Sequence, residues 1–385
     1  MKKHNLAIVG YGGFGQFLHS AVNELESIRI CAIADVQSPL IDTKSIAFYH
    51  NWKDLIFHPE IEIVAIATPP SSHAEIACVA LESGKHVLIE KPLATTIPDA
   101  KKVIHERDKS LKVAMVDFTL RFNPLVETIL NLSQSGFFGE LRRVVIENYA
   151  QDEHLPPDHW FWNHSVSGGI LVEHGVHFFD LVNSFTSSEP LSVKGLSHWR
   201  NQKQEDKFLV SILHENGLMV TYYHSFTRPG FFENTTIRFI WDLAQIELKG
   251  WIPLSGNITV LYGSKYEDKL LQLPNLSINK KTAIRNAKDT SRPEGWGPTQ
   301  KPNHLIDAIY SSGKEYHVDT LISGSFTINQ KKTYVYSDSL RALMTDFIRA
   351  IENPNYSQRI TLEDGLESLR IALMASKYAK RMHSY

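Results

Sequence analysis

Apolar and polar positions along residues 1–122 predict short buried strands separated by amphipathic helices. We predict strands at residues 5–10, 29–35, 62–68, 86–90 and 112–117. Helices are predicted at residues 14–25, 72–83 and 97–109. Continuous β-branched runs with helices between them are typical of parallel strands buried on both faces, so this part of the chain predicts a parallel sheet.

After residue 122 the pattern changes to longer strands. These are predicted at residues 141–150, 207–213, 218–223, 235–241, 244–249 and 258–262, with a hairpin turn at Glu215-Asn216-Gly217. Helices are predicted at residues 123–133, 168–185, 339–353 and 362–382, and a long polar loop at residues 280–303. We therefore expect an α/β chain of two domains, 1–122 and 123–385. The second is an α+β domain on an antiparallel or mixed sheet, and the C-terminal helices are expected to pack back onto the first domain.

The length and composition agree with this organisation. A chain of 385 residues exceeds what one hydrophobic core usually serves. Hydrophobic residues make up 43% and charged residues 21%, the balance of an ordinary globular protein. The formal net charge is -2, so nothing in the overall charge draws the protein toward nucleic acid or an anionic membrane.

The two cysteines, Cys31 and Cys78, both lie in apolar runs, which predicts buried free thiols in a reducing compartment. The first residues enter a strand and a glycine turn without the apolar segment of a signal peptide, and no run reaches the roughly 18 apolar residues of a membrane-spanning helix. We therefore expect a cytoplasmic protein. The 18 histidines show no spacing typical of zinc, so no metal is expected.

A glycine-rich turn follows the first predicted strand and opens the first predicted helix. Its sequence, Gly10-Tyr11-Gly12-Gly13-Phe14-Gly15, fits the pattern G-x-G-x-x-G. In that pattern the glycines permit a tight turn, a close approach of the backbone to a pyrophosphate, and close packing of helix on strand. The helix N-terminus then offers free N–H groups to the phosphates. We predict a Rossmann dinucleotide-binding domain with cofactor contacts at Gly10, Gly12, Gly13, Phe14 and Gly15.

Asp35 ends the second predicted strand, 20 residues after Gly15. An acid at this place hydrogen-bonds the adenosine ribose hydroxyls of NAD. Val36 and Gln37 follow it, so no arginine is present to accept a 2′-phosphate, which the carboxylate would also repel. The sequence therefore favours NAD over NADP.

Further segments, in order along the chain, resemble one family of oxidoreductases. They are TPPSSH at residues 68–73, GKHVLIEKP at residues 84–92 and SGGILVEHGVHFFD at residues 167–180. With the glycine turn, they are similar to the glucose–fructose oxidoreductase, inositol dehydrogenase and rhizopine catabolism family, written Gfo/Idh/MocA. The resemblance implies a Rossmann half and a second half with a large, open, mostly antiparallel sheet, through which homodimers or homotetramers form. It also implies hydride transfer at a carbinol carbon of a sugar or polyol.

Lys91 and His177 are the catalytic residues that the resemblance implies. Lys91 matches the lysine of the family's EKP motif and follows the fourth strand, at the sheet edge where open α/β sheets bind ligands. An ammonium there can hold the reacting oxygen, and we expect burial to lower its pKa. His177 matches the family's histidine, which resembles a general acid/base. Asp180 is one turn further on and is expected to orient the His177 ring.

Glu173 lies four residues before His177, so the two share one helix face. The family usually has Asp at this place, but a glutamate keeps the charge and can accept a hydrogen bond from a substrate hydroxyl. His174 stands where an apolar residue is common, and it either touches the substrate or packs against the sheet.

A second departure from the family follows the fifth strand. The family often has G-F-N-R-R-F there, whereas this chain has Asp117-Phe118-Thr119-Leu120-Arg121-Phe122. Arg121 is retained and is expected to contact the substrate. The contacts that the usual Asn-Arg pair makes must be supplied by other residues.

The remaining candidates lie in three segments. Thr68, Pro69 and Glu90 are expected beside the cofactor, and His73 either joins them or caps a helix. Residues 154–163 are crowded with aromatic and polar side chains, among them His159 and Trp160. They are expected to contact a sugar, and the alternative is an aromatic cluster that packs a long loop.

The resulting hypothesis is an NAD-dependent oxidoreductase acting on the secondary alcohol of a small carbohydrate or polyol. Two alternatives stay open. One is a glycosidase of the same family that uses NAD transiently and releases an aglycone without net NADH. The other is a non-catalytic NAD-binding sensor, against which the retention of Lys91 and His177 argues.

Overall fold

The computed structural model describes residues 3–38, 46–284 and 309–383. The first of its two main sheets is built from β1 (His4–Val9), β2 (Ile28–Ala34), β3 (Ala47–Tyr49), β4 (Ile63–Ile66), β5 (His86–Glu90) and β6 (Ala114–Asp117). All pairs are parallel, in the order β3-β2-β1-β4-β5-β6. The connecting helices are α1 (Gly13–Val22), α2 (Trp52–Ile56), α3 (His73–Glu82) and α4 (Ile97–Ser110). Every residue of β4 is buried, as in a parallel sheet covered on both faces. The predicted parallel sheet is confirmed.

Two elements of this half were not predicted. β3 is an edge strand of three residues, none of them buried, and its apolar segment is too short to be told from a loop. α2 has only five residues. The Asn51 side chain caps it by accepting a hydrogen bond from the Lys53 amide at 3.0 Å.

The second sheet has ten strands. They are β7 (Leu141–Gln151), β8 (Pro190–Trp199), β9 (Glu205–His214), β10 (Met219–Arg228), β11 (Asn234–Trp241), β12 (Ala244–Lys249), β13 (Ser255–Tyr262), β14 (Ser277–Ala283), β17 (Thr320–Thr327) and β18 (Ala379–His383). Their order is β14-β17-β13-β12-β11-β7-β10-β9-β8-β18. β7 runs parallel to β10 and β18 parallel to β8, and the other pairs are antiparallel. A separate hairpin joins β15 (Ile309–Ser311) and β16 (Lys314–Tyr316). The large, mostly antiparallel sheet is confirmed.

Several boundaries in this half differ from the prediction. β8 and β17 were not predicted, because β8 buries few of its residues and β17 carries serines and a glycine among its apolar positions. The last helix ends at Tyr378 rather than residue 382, and residues 379–383 form β18, with Ala379 opposite Gly195. The predicted loop at residues 280–303 begins inside β14, whose side chains are almost all exposed, and its residues 285–303 lie outside the described part of the chain.

Further helices follow β6 along the chain. They are α5 (Pro124–Gln134), α6 (His164–Ser167), a π-helix (Leu171–Gly175), α7 (Val176–Phe185), α8 (Glu267–Leu270), α9 (Lys332–Glu352) and α10 (Leu362–Tyr378). Short 3₁₀ helices lie at Pro70–Ser72, Thr119–Phe122, Trp160–Trp162, Gly230–Phe232 and Ser264–Tyr266. α10 contacts α7 and α4, and α9 contacts α1. The C-terminal helices therefore pack back onto the first half, as expected.

The predicted helix at residues 168–185 is interrupted by the π-helix, which precedes α7. Within the described residues, no helix has both the length and the apolar character needed to cross a membrane.

Candidate active site

The glycine loop lies between β1 and α1, and two of its positions require glycine. Gly10 has a φ of +91°, and a Cβ there would lie 2.5 Å from the carbonyl oxygen of Ala67. A Cβ on Gly15 would lie 2.1 Å from the carbonyl oxygen of Gly10, so glycine allows α1 to start close to β1. A Cβ on Gly12 or Gly13 would meet no described atom within 4 Å. α1 begins without a side-chain cap, so its first N–H groups are available to an anion in the open space that these glycines face.

A cleft of about 380 Å³ joins this loop to the carboxyl end of β5. Its lining includes predicted residues from six separate segments of the chain. They are Gly10, Gly12, Gly13, Phe14, Asp35, Thr68, Pro69, Glu90, Lys91, Trp160 and Glu173. Six other candidates, Gly15, His73, Arg121, His159, His174 and His177, are not part of this lining.

Backbone amides fix the Asp35 carboxylate at the cleft wall. Tyr11 N donates to Oδ2 at 2.6 Å, and Gln37 N donates to Oδ1 at 2.9 Å. A carboxylate has about four lone-pair sites, so lone pairs remain for a ligand hydroxyl. His50 and Trp52 also line the cleft, and sequence analysis missed them together with β3 and α2. The capping residue between them, Asn51, is the local signal that marks the start of α2.

Lys91 is almost fully buried and is held by Glu173. Its Nζ donates to the Glu173 carbonyl oxygen at 2.7 Å and to Glu173 Oε1 at 2.8 Å, and Glu90 Oε1 lies 3.7 Å away. Burial by itself lowers the pKa of Lys91, but the carboxylates of Glu173 and Glu90 raise it above the ordinary value. The expectation of a lowered pKa was therefore wrong, since the carboxylates outweigh burial. Lys91 is a cation at neutral pH.

His177 is buried near Lys91, and its ring packs edge-on against Trp251 with the centroids 4.7 Å apart. Burial, the Lys91 ammonium and His174 all lower the pKa of His177 well below the ordinary value. The imidazole is therefore neutral at neutral pH. Its Nδ1 has no hydrogen-bond partner in the described part of the chain. Asp180 does not orient the ring, because its two carboxylate oxygens accept bonds from Arg121 at 2.5 and 2.8 Å.

Arg121 is bound by protein acceptors and is not part of the cleft lining. Besides Asp180, its Nη2 donates to Asp364 at 2.9 Å and its Nη1 to the Arg359 carbonyl oxygen at 3.2 Å. The guanidinium thus holds α7 and α10 against the end of β6. This arrangement does not support the expected substrate contact of Arg121. The reason is that α10 supplies a second carboxylate from a distant part of the sequence.

His73 and His159 also make structural contacts. The His73 ring contacts two backbone carbonyl oxygens. Its Nδ1 lies 2.7 Å from the carbonyl oxygen of Pro92, and its Nε2 lies 2.7 Å from the carbonyl oxygen of Thr68. The ring therefore joins the loops that follow β5 and β4, and it neither faces the cleft nor caps α3 with its side chain. His159 Nδ1 accepts a bond from Phe161 N at 3.2 Å and caps a 3₁₀ helix.

His174 packs toward the sheet, which was the second of its two predicted alternatives. Its ring centroid lies 5.3 Å from that of Phe226 and 5.9 Å from that of His224 on β10. Burial lowers the pKa of His174 to about 3. His224 was missed, because the predicted strand stopped at residue 223. Tyr222, His224 and Phe226 are alternate residues of β10, and all three are buried. This alternation was the sequence signal that could have identified His224.

No group of three or more His, Cys, Asp or Glu side chains within residues 3–38, 46–284 and 309–383 is arranged to hold a metal ion. The chemistry available at the site is that of an ammonium, a neutral imidazole and carboxyl groups beside a glycine loop.

Two family models match the chain. Residues 4–118 match the NAD-binding Rossmann fold of the GFO/IDH/MocA oxidoreductases, and residues 126–240 match the GFO/IDH/MocA C-terminal domain. The chain is 32% identical to levoglucosan dehydrogenase of Pseudarthrobacter phenanthrenivorans over 154 residues, 39% of each chain. It is 28% identical to scyllo-inositol 2-dehydrogenase (NAD(+)) of Bacillus subtilis over 142 residues, 37% of this chain and 40% of the relative. The chain thus matches about two fifths of the length of each of these relatives.

The solved structure of myo-inositol 2-dehydrogenase from Lactobacillus plantarum matches the whole fold. The TM-score is 0.70 and the sequence identity 15%, over 98% of this chain and 97% of that chain. At this identity the likeness shows the fold.

Proposed function

The chain belongs to the GFO/IDH/MocA family of NAD-binding oxidoreductases, and from this we propose that it transfers a hydride between a secondary alcohol of a sugar or polyol and the nicotinamide of NAD. The observation that carries the proposal is the single cleft that joins the glycine loop and Asp35 to Lys91 and Glu173. A loop suited to a dinucleotide and a cation suited to an alcohol oxygen share one cavity, as alcohol oxidation requires.

We assign the pyrophosphate of NAD to the glycine loop and the adenosine ribose to Asp35. The open space at Gly12 and Gly13 and the uncapped start of α1 support the first assignment. The second rests on the Asp35 carboxylate at the cleft wall, where it would repel the 2′-phosphate of NADP. When bound, NAD supplies the hydride acceptor for alcohol oxidation and the donor for the reverse reaction. Calorimetric titration with each dinucleotide checks the choice, and NADP binding as tight as NAD would contradict it.

Lys91 is proposed to hold the alcohol oxygen. An ammonium has three donors, and Glu173 accepts two of them, which leaves one for the substrate. Held in place by Glu173, the ammonium would stabilise negative charge on the oxygen as the hydroxyl proton leaves. Glu173 therefore positions Lys91 and lines the cleft at the same point.

His177 is proposed as the proton acceptor. A base must be unprotonated at the working pH, and the buried imidazole meets this condition whereas the Lys91 ammonium does not. A lowered pKa also makes the imidazole a weaker base. The charge of Lys91 is then needed to make the alcohol more acidic, so the two residues are expected to act together.

The substrate class rests on two supports. The relatives named above are dehydrogenases of levoglucosan and of an inositol, both polyhydroxylated molecules. Trp160 lines the cleft and is 37% exposed, so part of this aromatic side chain is available to an apolar sugar surface.

The test is an incubation of the purified protein with NAD and a panel of hexoses, inositols, anhydrosugars and glycosides. We expect NADH to accumulate in proportion to an oxidised product. Lys91→Met is the matched control, since it removes the ammonium and keeps most of the side-chain volume, and it should produce no NADH. Release of an aglycone without net NADH would replace the proposal with a redox glycosidase. Tight NAD binding without hydride transfer from any substrate would replace it with a sensor.

We also propose that residues 1–122 form the NAD-binding domain, and that residues 123–385 bind substrate and form homodimers or homotetramers through the open sheet face. Leu196, Leu209 and Tyr223 are register neighbours across β8, β9 and β10, and both leucines are exposed. An exposed apolar row of this kind suits a subunit interface. Light scattering should show an oligomer for the native chain and a monomer for Leu209→Glu. A monomeric native chain would contradict the assembly.

A further inference from the structure

Two carboxyl groups lie side by side behind Lys91. Glu90 and Asp117 end the neighbouring strands β5 and β6 and are register partners. Asp117 is 2% exposed, and its Oδ1 accepts a hydrogen bond from the Thr119 hydroxyl. Its Oδ2 is buried and has no partner in the described residues. Because register partners on neighbouring parallel strands place their side chains on the same face of the sheet, the neighbour available to satisfy Asp117 Oδ2 is the carboxyl group of Glu90.

The charges facing this pair do not balance if every acid is ionised. Lys91 is the cation beside it, and Glu173 is already paired with that cation. Tyr336 faces both carboxyl groups from α9, and burial together with these acids raises its pKa well above the ordinary value, so it is uncharged. Burial keeps His174 and His177 neutral as well. One ammonium would then face three carboxylates whose side chains are at most 16% exposed.

We propose that Glu90 and Asp117 share one proton, carried by Glu90 and donated to Asp117 Oδ2, and that this pair positions Lys91 for the substrate. Two neighbouring carboxyl groups, one buried and the other with only 16% of its side chain exposed, cannot both ionise without a large electrostatic cost. The Thr119 hydroxyl stabilises the ionised form of Asp117, which places the proton on Glu90. The pKa values agree in direction, since burial raises that of Asp117 to about 6 and that of Glu90 well above its ordinary value.

The proton on Glu90 determines how Lys91 is held. With Glu90 neutral, Glu173 is the ionised partner in direct contact with Lys91, and one N–H of the ammonium stays available. With Glu90 ionised, a second carboxylate 3.7 Å from Nζ would compete with the substrate oxygen for that N–H. Deprotonation of Glu90 as the pH rises should therefore weaken substrate binding at Lys91. The expected effect on substrate binding rests on the proposed function, whereas the shared proton between Glu90 and Asp117 does not.

Infrared difference spectroscopy of the full-length protein without substrate tests the shared proton. The native protein near neutral pH should show the carbonyl band of a protonated carboxylic acid, shifted in D₂O. Glu90→Gln should remove the band, because the amide donates to Asp117 in place of the acid. Asp117→Asn should also remove it, because the amide donates to Glu90 and leaves that carboxylate ionised. Glu75→Gln, at an exposed site on α3, is the matched control and should keep the band.

A native protein without the band, or a band in Glu90→Gln as strong as that of the native protein, would overturn the proposal. The spectrum of the native protein tests the proposal even if a variant folds poorly. Thermal unfolding of each variant shows whether it is folded, so a band lost because of misfolding can be recognised.

The pH profile of kcat/KM tests the positioning role. The native profile should fall on its alkaline side, and Glu90→Gln should shift this fall upward by at least about one pH unit, since its amide cannot ionise. Asp117→Asn should lower kcat/KM about tenfold near neutral pH, with most of the loss in KM for the alcohol. Equal losses at every pH in both variants would indicate a structural role only and would overturn the positioning role. If no alcohol is oxidised at all, the proposed function fails while the infrared result still stands.

Discussion

Neighbouring charges give Lys91 and His177 different protonation states within one small region. Glu173 and Glu90 raise the pKa of Lys91, while burial and that same ammonium lower the pKa of His177. Environments that push two pKa values apart distinguish the group that stabilises charge from the group that accepts a proton. On the proposed mechanism, the positions of the carboxylates therefore decide the role of each residue.

Replacing His177 tests this division directly. We expect His177→Ala to reduce kcat by at least about 10²-fold, the usual scale for a general acid/base, and to leave the Kd for NAD unchanged. His105→Ala, at an exposed position on α4, is the matched control. Steady-state kinetics with calorimetric NAD binding makes the measurement. Unchanged turnover in His177→Ala would remove the residue from the mechanism.

His224 makes a prediction about pH and stability. Burial lowers its pKa well below the ordinary value, so at acid pH the unfolded chain binds a proton there that the folded chain does not. This contribution to stability is present above the unfolded pKa of about 6.5 and is lost as the pH falls below it. His224→Phe cannot bind that proton. When the pH falls from 7 to 5, the native protein should therefore lose about 2 kcal/mol of unfolding free energy that His224→Phe keeps.

Urea unfolding at both pH values measures the difference, and comparison with the native protein cancels the titration of other groups. A constant offset between His224→Phe and the native protein would show that His224 is protonated in the folded state.

The site residues that sequence analysis found are those whose signal is local. The glycine loop, Asp35, Lys91 and Glu173 occupy fixed places relative to a strand end or a helix start, and the cleft joins them. His50 and Trp251 were missed, because their contacts depend on how distant segments pack. The roles expected of Arg121 and Asp180 changed for the same reason, since each is the other's partner.

Among the elements, strands with buried apolar runs were predicted best. β5 and β12 begin and end at the predicted residues. β1 and β2 each begin and end one residue before the predicted positions. The short edge strand β3 and the polar strand β14 have no buried residues and were missed. The π-helix before α7 was also missed, because a single wide turn within a helical segment leaves the apolar pattern nearly unchanged.

The junction of β1 and α1 allows a matched pair of glycine variants. In Gly15→Ala the new Cβ would lie 2.1 Å from the Gly10 carbonyl oxygen, so the helix must move, and we expect a loss of about 1–3 kcal/mol in unfolding free energy. In Gly12→Ala the Cβ meets no described atom within 4 Å, so stability should change by less than about 0.5 kcal/mol.

Cofactor binding should separate the two variants in a second way. The Gly12→Ala methyl group would occupy space assigned to the pyrophosphate, so NAD should bind much more weakly although the protein stays stable. Thermal unfolding without cofactor, followed by NAD titration, measures both effects. Normal NAD affinity in a stable Gly12→Ala protein would place the pyrophosphate elsewhere.

At the scale of the whole molecule, the last helices connect the two sheets. α9 contacts α1, and α10 contacts both α4 and α7. Gly365 lies close enough to the first sheet that a Cβ there would come within 2.7 Å of Val116. The C-terminal helices thus cover part of the dinucleotide-binding half, so we expect this half to lose stability if the chain is cut before α9.

Arg121 is the charged link among these parts. It follows β6 and binds Asp180 on α7 and Asp364 on α10, and Asp180 is fully buried. Arg121→Met would leave a buried carboxylate without its cation, so we expect a loss of about 3–5 kcal/mol in unfolding free energy. Replacing both partners in Arg121→Met/Asp180→Leu should recover much of this loss, because no uncompensated charge then remains.

A second arginine supplies the control for the same prediction. Arg107 on α4 pairs with Glu363 on α10, so it also links the first half to the last helix, but Glu363 is half exposed. Water can replace this bridge, and Arg107→Met should cost no more than about 1 kcal/mol. Urea unfolding of the three variants ranks the losses. Equal losses for Arg121→Met and Arg107→Met would mean that Asp180 does not depend on Arg121, and the link between the sheets would then rest on apolar packing alone.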